Sequence, residues 1–290
     1  MAVTFYPNYI HNVGFDAAAE PSVVGQGYAS SGGETTGAAY DLVDSKRDNI
    51  ITVDTNGETG ADFSIDFDLT ANITGVDFSI IDKMNLAAAL ADSRLTYNGG
   101  GTELTSPIYH SGILGSVMNL LSVTSNWVLA DENGGSETIQ LVTFTAATDN
   151  NWEWNFRDFE DGNFGADVTI GEISIGKKLA CAYMPEIGIT KSSGFGTDIL
   201  KSKGGQKYGF KNYGEARRWT LSWIYISAAE KLLFEAMWAV TEGKRYPFYI
   251  DLGEAATPQL YYVRFAMDEL MFTEVVQNVW RLTVVIEEEV

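Results

Sequence analysis

The stretch RRWTLSWIYISAAEKLLFEAMWAVTEG, residues 217–243, changes period midway and reads as a strand running into a helix. Through Ile226 the residues follow a strand pattern, with Trp219, Leu221 and Trp223 on one face to be buried together. Ser227 then offers an oxygen to the orphan N–H groups of a first helical turn, and Glu230, three residues on, completes a capping box. Leu233, Phe234, Met237, Trp238 and Val240 form the wide apolar stripe of a helix that covers a core, and Gly243 stands where a stop is expected. Downstream, KRYPFYIDL (244–252), QLYYVRFAMDEL (259–270) and NVWRLTVVIEEEV (278–290) are strand-like. The expectation is an α+β domain over 181–290, one helix packed on an antiparallel sheet.

Upstream lies GITKSSGFGTDILKSKGGQKYGFKNYGEA, residues 188–216, which reads as a long loop. From Gly188 to Arg218 it sets Lys191, Lys201, Lys203, Lys207, Lys211, Arg217 and Arg218 against Asp198 and Glu215, a local charge of +5. Long segments without structure of their own are usually functional or disordered, and a solvated loop is the plain alternative.

The first 180 residues read as many short strands. ADFSIDFDLT (61–70) alternates Phe63, Ile65, Phe67 and Leu69 with Asp62, Ser64, Asp66 and Asp68, a half-buried strand with an acidic face. ITGVDFSIID (73–82), TIQLVTFTAA (138–147), NWEWNFRDF (151–159) and DVTIGEISIG (167–176) follow between Gly, Asn and Asp clusters. Strands at this spacing predict an antiparallel sandwich or barrel over 1–180, with a short helix at MNLAAALA (84–91) as an exception. The boundary is expected within GKKLACAYMPEIG (176–188), before Gly188.

Charge follows the same division. The chain has 290 residues, 19 Lys+Arg and 39 Asp+Glu, a formal charge of −20. Residues 1–180 carry 7 basic and 25 acidic side chains, whereas 181–290 carry 12 and 14. A surface this acidic argues against a protein that wraps nucleic acid, because phosphates are repelled. Hydrophobic residues make up 45% of the chain, enough to build cores without metals or cross-links. The single cysteine, Cys181, excludes an internal disulfide framework and suits a reducing compartment. MAVTFYPNYI has neither a basic n-region nor an apolar h-region, so no signal peptide is expected. No apolar stretch approaches a membrane span.

Catalytic patterns are not legible. His11 and His110 come without a G-x-S-x-G elbow, and Cys181 has no local signature. RDFEDGN (157–163) gathers Asp158, Glu160, Asp161 and Asn163, hard oxygens of the kind calcium takes, but lacks EF-hand spacing and reads first as an acidic turn. GFGTDILKSKGG does not match a phosphate loop. No catalytic, cofactor-binding or metal-binding residue is assigned, and no cofactor or enzymatic activity is expected. Of the tryptophans, Trp152 and Trp154 share one face of their strand, as do Trp219 and Trp223, which favours core packing.

Two passages carry a resemblance. DFDLTANITGVDFSIIDKMNLAAA (66–89) with NNWEWNFRDFEDGNFGADVTIGEISIGKKL (150–179) resembles the galactose-binding-like, discoidin-type jelly roll of phage structural proteins. Gly171-Glu172-Ile173 and Gly176 match that pattern, while Met84-Asn85-Leu86 stands where those modules show His-Asn-Leu. GEARRWTLSWIYISAAEKLLFEAMWAVTEGKRYPFYIDL (214–252), with the final RLTVVIEEEV, is similar to tail-tip and minor tail proteins of tailed bacteriophages. The shared order falls on Arg218, Trp219, Ser227, Glu230, Gly243, Pro247, Phe248, Glu287 and Glu288.

The resemblance implies a mainly β virion protein: a jelly-roll sandwich over 1–180 decorating the exterior, and a ring-forming α+β domain. It would be made in the host cytoplasm and assembled into the tail. Its partners would be further copies of itself in a ring and other virion proteins, with no membrane segment and no direct nucleic-acid contact. The basic segment holds the subunit-contact candidates named above. Two alternatives stay open: a neck or capsid-vertex protein, or a receptor-binding protein whose jelly roll takes host glycans near Tyr28, Tyr97 and Trp127. A glycan-cleaving tail enzyme lacks a distinguishable acid pair.

Overall fold

A computed structural model describes residues 3–13, 22–26, 35–36, 39–46, 49–53, 62–85, 92–97, 107–111, 123–130, 138–157, 166–185, 190–201 and 207–289. In chain order the elements are β1 (Thr4–Pro7), the single-turn α1 (Ile10–Val13), β2 (Ser22–Gln26), β3 (Thr35–Thr36) and β4 (Ile51–Val53). β5 (Asp62–Met84), β6 (Asp92–Tyr97), β7 (Pro107–Ser111), β8 (Val123–Ala130) and β9 (Thr138–Arg157) follow. Next come β10 (Val168–Ile170), β11 (Ile173–Gly176), β12 (Leu179–Ala180), β13 (Thr190–Lys201) and β14 (Lys207–Ser227). The chain ends with α2 (Ala228–Val240), β15 (Phe248–Asp251), β16 (Leu260–Phe265), β17 (Phe272–Val276) and β18 (Val279–Glu288). The protein is mainly β, its sheets antiparallel, with one helix longer than a turn among the described residues, as the sequence indicated.

The chain divides into two compact units, and the division differs from a single cut near residue 180. One unit comprises Met1–Pro7 with Leu179–Val290, and the other is Asn8–Lys178. The opening residues join the helix-bearing unit because β1 pairs antiparallel with β15, from Thr4↔Asp251 to Pro7↔Phe248, and with β12. Phe5 is fully buried there, its ring 5.6 Å from that of Phe234. A four-residue strand shows nothing of this locally, since its partners lie far along the chain. Residues 1–7, 179 and 180 carry no charged side chain, so the charge asymmetry follows the structural division unchanged.

In the helix-bearing unit the sheet order is β12-β1-β15-β16-β18-β14-β13, with β17 pairing β18. Trp219, Leu221 and Trp223 point into the core, where α2 adds Phe234, Met237 and Val240. Leu233 and Trp238 pack half-buried against the same core. Burial of each large apolar group contributes about 1.5–3 kcal/mol, so this face anchors the helix more firmly than its propensity does. The capping box forms as read: Ser227 Oγ accepts from the Glu230 N–H at 3.2 Å, and the Glu230 carboxylate accepts from the Ser227 N–H at 3.0 Å. After the C-cap Thr241, Gly243 adopts φ +67, and an added Cβ would lie 3.1 Å from the Trp238 ring. Its conformation and its close approach both require glycine.

The 8–178 unit has two antiparallel sheets, β11-β5-β9-β6-β7 with β2 on β5 and β8 on β9, and β10-β4-β3. Both contribute to one core: Ile51, Val53, Val168 and Ile170 from the small sheet meet Phe63, Ile65, Phe67, Trp152, Trp154 and Phe156 from the large one. The alternation over 61–70 is borne out on its apolar side, since Phe63, Ile65, Phe67 and Leu69 are all buried. Both tryptophans pack as their shared face indicated, with Trp154 Nε1 donating to Ser79 Oγ at 3.1 Å.

Two expectations are corrected here. The segments 61–70 and 73–82 are one strand, β5, and 138–147 with 151–159 merge into β9, which ends at Arg157. Register shifts from Asp68/Ile73 onward absorb the positions 71–72 that separated the two expected strands, and Gly75, just beyond, adopts φ +73. The short helix at 84–91 begins on Met84, which is the last residue of β5, and its remainder past Asn85 lies outside the described residues.

The passages that carry the jelly-roll resemblance meet in space. Asp82 and the 171–172 backbone exchange two hydrogen bonds, Asp82 N to Glu172 O at 2.8 Å and Gly171 N to Asp82 O at 2.9 Å. Asn85 accepts from Thr169 N at 2.9 Å and donates to Asp167 O at 2.7 Å.

Candidate functional site

The basic segment is a β-hairpin, which corrects its reading as a loop. β13 pairs with β14 from Thr190↔Thr220 to Lys201↔Lys207, with a register shift between Phe195 and Thr197. β14 in turn pairs with β18 only between Arg218 and Ser227. Residues 207–216 of β14 therefore have β13 as their sole strand partner among the described residues. The Gly, Ser and Lys content hid this because a ladder is built from backbone groups. Ile199, Leu200, Tyr208 and Phe210 are good strand formers on either side of SKGGQ, whose glycine pair is a turn signal.

Register sets which residues stand opposite each other at the far end of this ribbon: Thr197 opposite Lys211, Asp198 opposite Phe210, Ile199 opposite Gly209 and Leu200 opposite Tyr208. Lys201 stands directly opposite Lys207, and like charges so placed are destabilising. A two-stranded ribbon by itself is marginal in water, so this one gains from any surface that packs against it.

The base is held differently. Arg217 donates through its backbone N–H and its Nε to Glu288 Oε2, at 3.1 and 2.8 Å, and through Nη2 to Oε1. Its guanidinium also lies 4.8 Å from the Tyr261 ring centre. Arg218 pairs with Glu287 at 4.0 Å and remains half-exposed. Lys191 is exposed, its Nζ 5.9 Å from the Trp219 ring. Arg217 is therefore committed to the terminal glutamates of β18, leaving the lysines further out as the contact candidates. Lys203 lies outside the described residues.

The glycan candidates are not brought together. Tyr97 stands opposite Trp152 in β6 and Trp127 opposite Leu141 in β8, eleven positions apart along β9. That is roughly 35 Å of strand. Tyr28 lies outside the described residues, as do Asp158, Glu160, Asp161 and Asn163 of the acidic turn.

His11 belongs to a partly buried polar cluster. Its Nε2 is 2.9 Å from Ser45 Oγ, 3.4 Å from Asn8 Nδ2 and 4.0 Å from the buried Glu172 carboxylate. Ser45 adopts φ +66, an uncommon conformation for a residue with a side chain. Serine and glutamate approach the same ring nitrogen here, whereas a nucleophile–base–acid relay places them on opposite nitrogens. His110 sits in β7 opposite Arg94. Among the described residues no group of three or more His, Cys, Asp and Glu side chains is placed to hold a metal. Cys181 is buried, and burial followed by the nearby Glu230 pushes its thiol pKa far up, so it is a poor nucleophile.

Sequence reading missed an apolar groove in the helix-bearing unit. Tyr183, Met184, Trp223, Ile224 and Tyr225 line a cavity of about 340 Å³. Strict alternation from Trp219 would bury Tyr225, but the register shift between Trp223 and Ile226 leaves Tyr225 63% exposed. Tyr183 is 65% exposed. The wall is fixed in place: Trp223 Nε1 donates to Tyr183 O at 3.0 Å, and Ala182 N donates to the capping Glu230 at 3.0 Å. The only hint in sequence was the cluster of large apolar residues in YMP, just past the expected boundary.

Fold and site together define a mainly β protein of two antiparallel units, one bearing a basic ribbon and an apolar groove. No protein-family model and no curated protein matches the chain.

Proposed function

We propose that this chain is a structural subunit of a tailed-phage virion, a component of a ring in the tail or tail tip, with its 8–178 unit carried on the exterior. The observation that supports this most is the ribbon: among the described residues its far end has no sheet neighbour beyond its own two strands, it sets Lys201 opposite Lys207, and it belongs to a chain of charge −20. Such an element is suited to an acidic surface on another copy, and the 8–178 unit, at −18, is the acidic part of the chain. Charge complementarity of this kind steers and registers contacts more than it tightens them. The residues carrying the tail-protein resemblance also belong to one folded unit, in which Trp219 lies in the core, Ser227 and Glu230 cap α2, and Glu287 and Glu288 pair with Arg218 and Arg217.

The test is assembly. Replacing Lys201, Lys203, Lys207 and Lys211 with Ser is expected to abolish ring formation by the purified chain while leaving its thermal unfolding unchanged, as followed by sedimentation and circular dichroism. A wild-type chain that stays monomeric at all concentrations, or a quadruple variant that assembles normally, overturns the reading.

A further inference from the structure

β17 (Phe272–Val276) is an edge of its sheet. Among the described residues it pairs only with β18, from Phe272↔Leu282 to Val276↔Val279, so the backbone groups on its other side have no strand beside them. Such edges are usually blunted by proline, lysine or a bulge. MFTEVV (271–276) has neither proline nor lysine, and its register shift falls between Glu274 and Val276, leaving Phe272–Glu274 in unbroken pairing. Met271, Val275 and Val276 are exposed apolar side chains along this edge. What opposes a newcomer is Glu274. Directly paired residues share a face, so Glu274 lies with Trp280 on the side where Phe272 packs against the core, and a strand laid alongside would take its carboxylate out of water. The cost is offset only by an occupant that brings a cation to that place. This chain has one in position: Lys231 of α2 holds its Nζ 5.2 Å from the Phe272 ring centre and 5.6 Å from that of Trp280.

We propose that β17 pairs antiparallel with β17 of a second copy of this chain, about a two-fold axis at Thr273. Phe272 of each copy then stands opposite Glu274 of the other, so each Glu274 arrives on the face where the other copy's Lys231 lies. Lys231 also donates to Glu235 on its own helix, and the three donors of an ammonium can serve both carboxylates. The same register sets Thr273 opposite Thr273 and Met271 opposite Val275, hydroxyl against hydroxyl and exposed apolar group against exposed apolar group. The adjacent registers are worse. A two-fold at Glu274 opposes the two glutamates directly, and one at Val275 sets Glu274 against Val276. A strand from an unrelated protein meets Glu274 without supplying the lysine, so the charge that discourages other partners selects a second copy. The contact is isologous and closes on two copies, unlike the ring contact, and does not rest on the ring reading. Five residues of strand fall short of the ~800 Å² per partner of a stable interface, so the pairing is weak and concentration-dependent.

Disulfide trapping in the full chain tests this. Thr273→Cys is oxidised with diamide beside Gln277→Cys, an equally exposed position that the register leaves far from its own counterpart; the buried Cys181 stays out of the reaction. Thr273→Cys is expected to form its disulfide dimer roughly tenfold faster than Gln277→Cys, which reports random collision. Adding Glu274→Lys to Thr273→Cys is expected to slow trapping roughly tenfold with unchanged melting, because lysine then meets lysine. Adding Lys231→Glu as well restores the opposite charges and is expected to recover most of the rate. Equal trapping at positions 273 and 277 overturns the pairing. A loss on Glu274→Lys that Lys231→Glu does not recover overturns it too, since the lysine is what selects a second copy. Trapping at 273 is expected to persist in a chain whose ribbon lysines 201, 203, 207 and 211 are serine. Its disappearance there would make the contact a by-product of ribbon-driven assembly and overturn it, while leaving the ring reading in place.

Discussion

The two halves of β14 are made of one strand and stabilised in opposite ways. From Trp219 to Ser227 the strand pairs with β18 and buries Trp219, Leu221, Trp223 and Ile226 against a core shared with α2. From Lys207 to Glu215 it has only β13 beside it among the described residues. One strand can thus be half invested in a core and half held by a single neighbour, and knowing its partners on both edges separates the two.

The sharpest way to break this comparison is to truncate an aromatic in each half. Trp223→Ala removes a ring packed 5.6 Å from Phe234 and 6.3 Å from Phe5, and is expected to cost about 3–5 kcal/mol in denaturant unfolding. Tyr208→Ala in the ribbon is expected to stay within about 0.5 kcal/mol for the free chain. A comparable loss at both positions would mean that the ribbon is already part of a core.

Smaller, and located where the halves meet, is the Arg217–Glu288 pair. Glu288→Gln weakens a half-buried, two-pronged contact and is expected to lower stability by about 1–2 kcal/mol. Ribbon substitutions such as Lys207→Ser leave that quantity unchanged.

The smallest effect reports on the groove wall through pH. Burial pushes the Glu230 carboxyl up, but hydrogen bonds from the Ser227 backbone and hydroxyl and from Ala182 N outweigh it, and the net shift is below the ordinary carboxylate value. A carboxyl with a lowered folded-state pKa contributes stability above its unfolded pKa and loses it as pH falls through the folded one. Wild type is therefore expected to melt above Glu230→Gln near neutral pH, with the difference shrinking below about pH 4. A difference that is constant with pH would show that the cap acts without its charge.

How much of this was legible follows from how local each signal is. The capping box at Ser227 and Glu230, the buried stripe of α2 and the alternation at Phe63, Ile65, Phe67 and Leu69 depend on neighbours within a few residues, so the chain states them directly. Non-local pairing was invisible. Nothing around Phe5 shows that it packs with Phe234 and Phe248, and residues 71–72 read as a break between two strands because register shifts depend on the opposing strand. The candidate site was half legible: its lysines were counted, but composition is blind to a ladder that only backbone groups make.

By itself the sequence determined the mainly β class, the placement and capping of α2, the charge division and the interior faces of its clearest strands, because period, caps and charge are short-range properties. Only the tertiary structure decided that residues 1–7 join the far end of the chain, that the basic segment is a two-stranded ribbon, and that Tyr225 turns outward beside Tyr183. Each of these depends on which strand lies alongside and where its register slips. That choice is made by packing between residues distant in sequence.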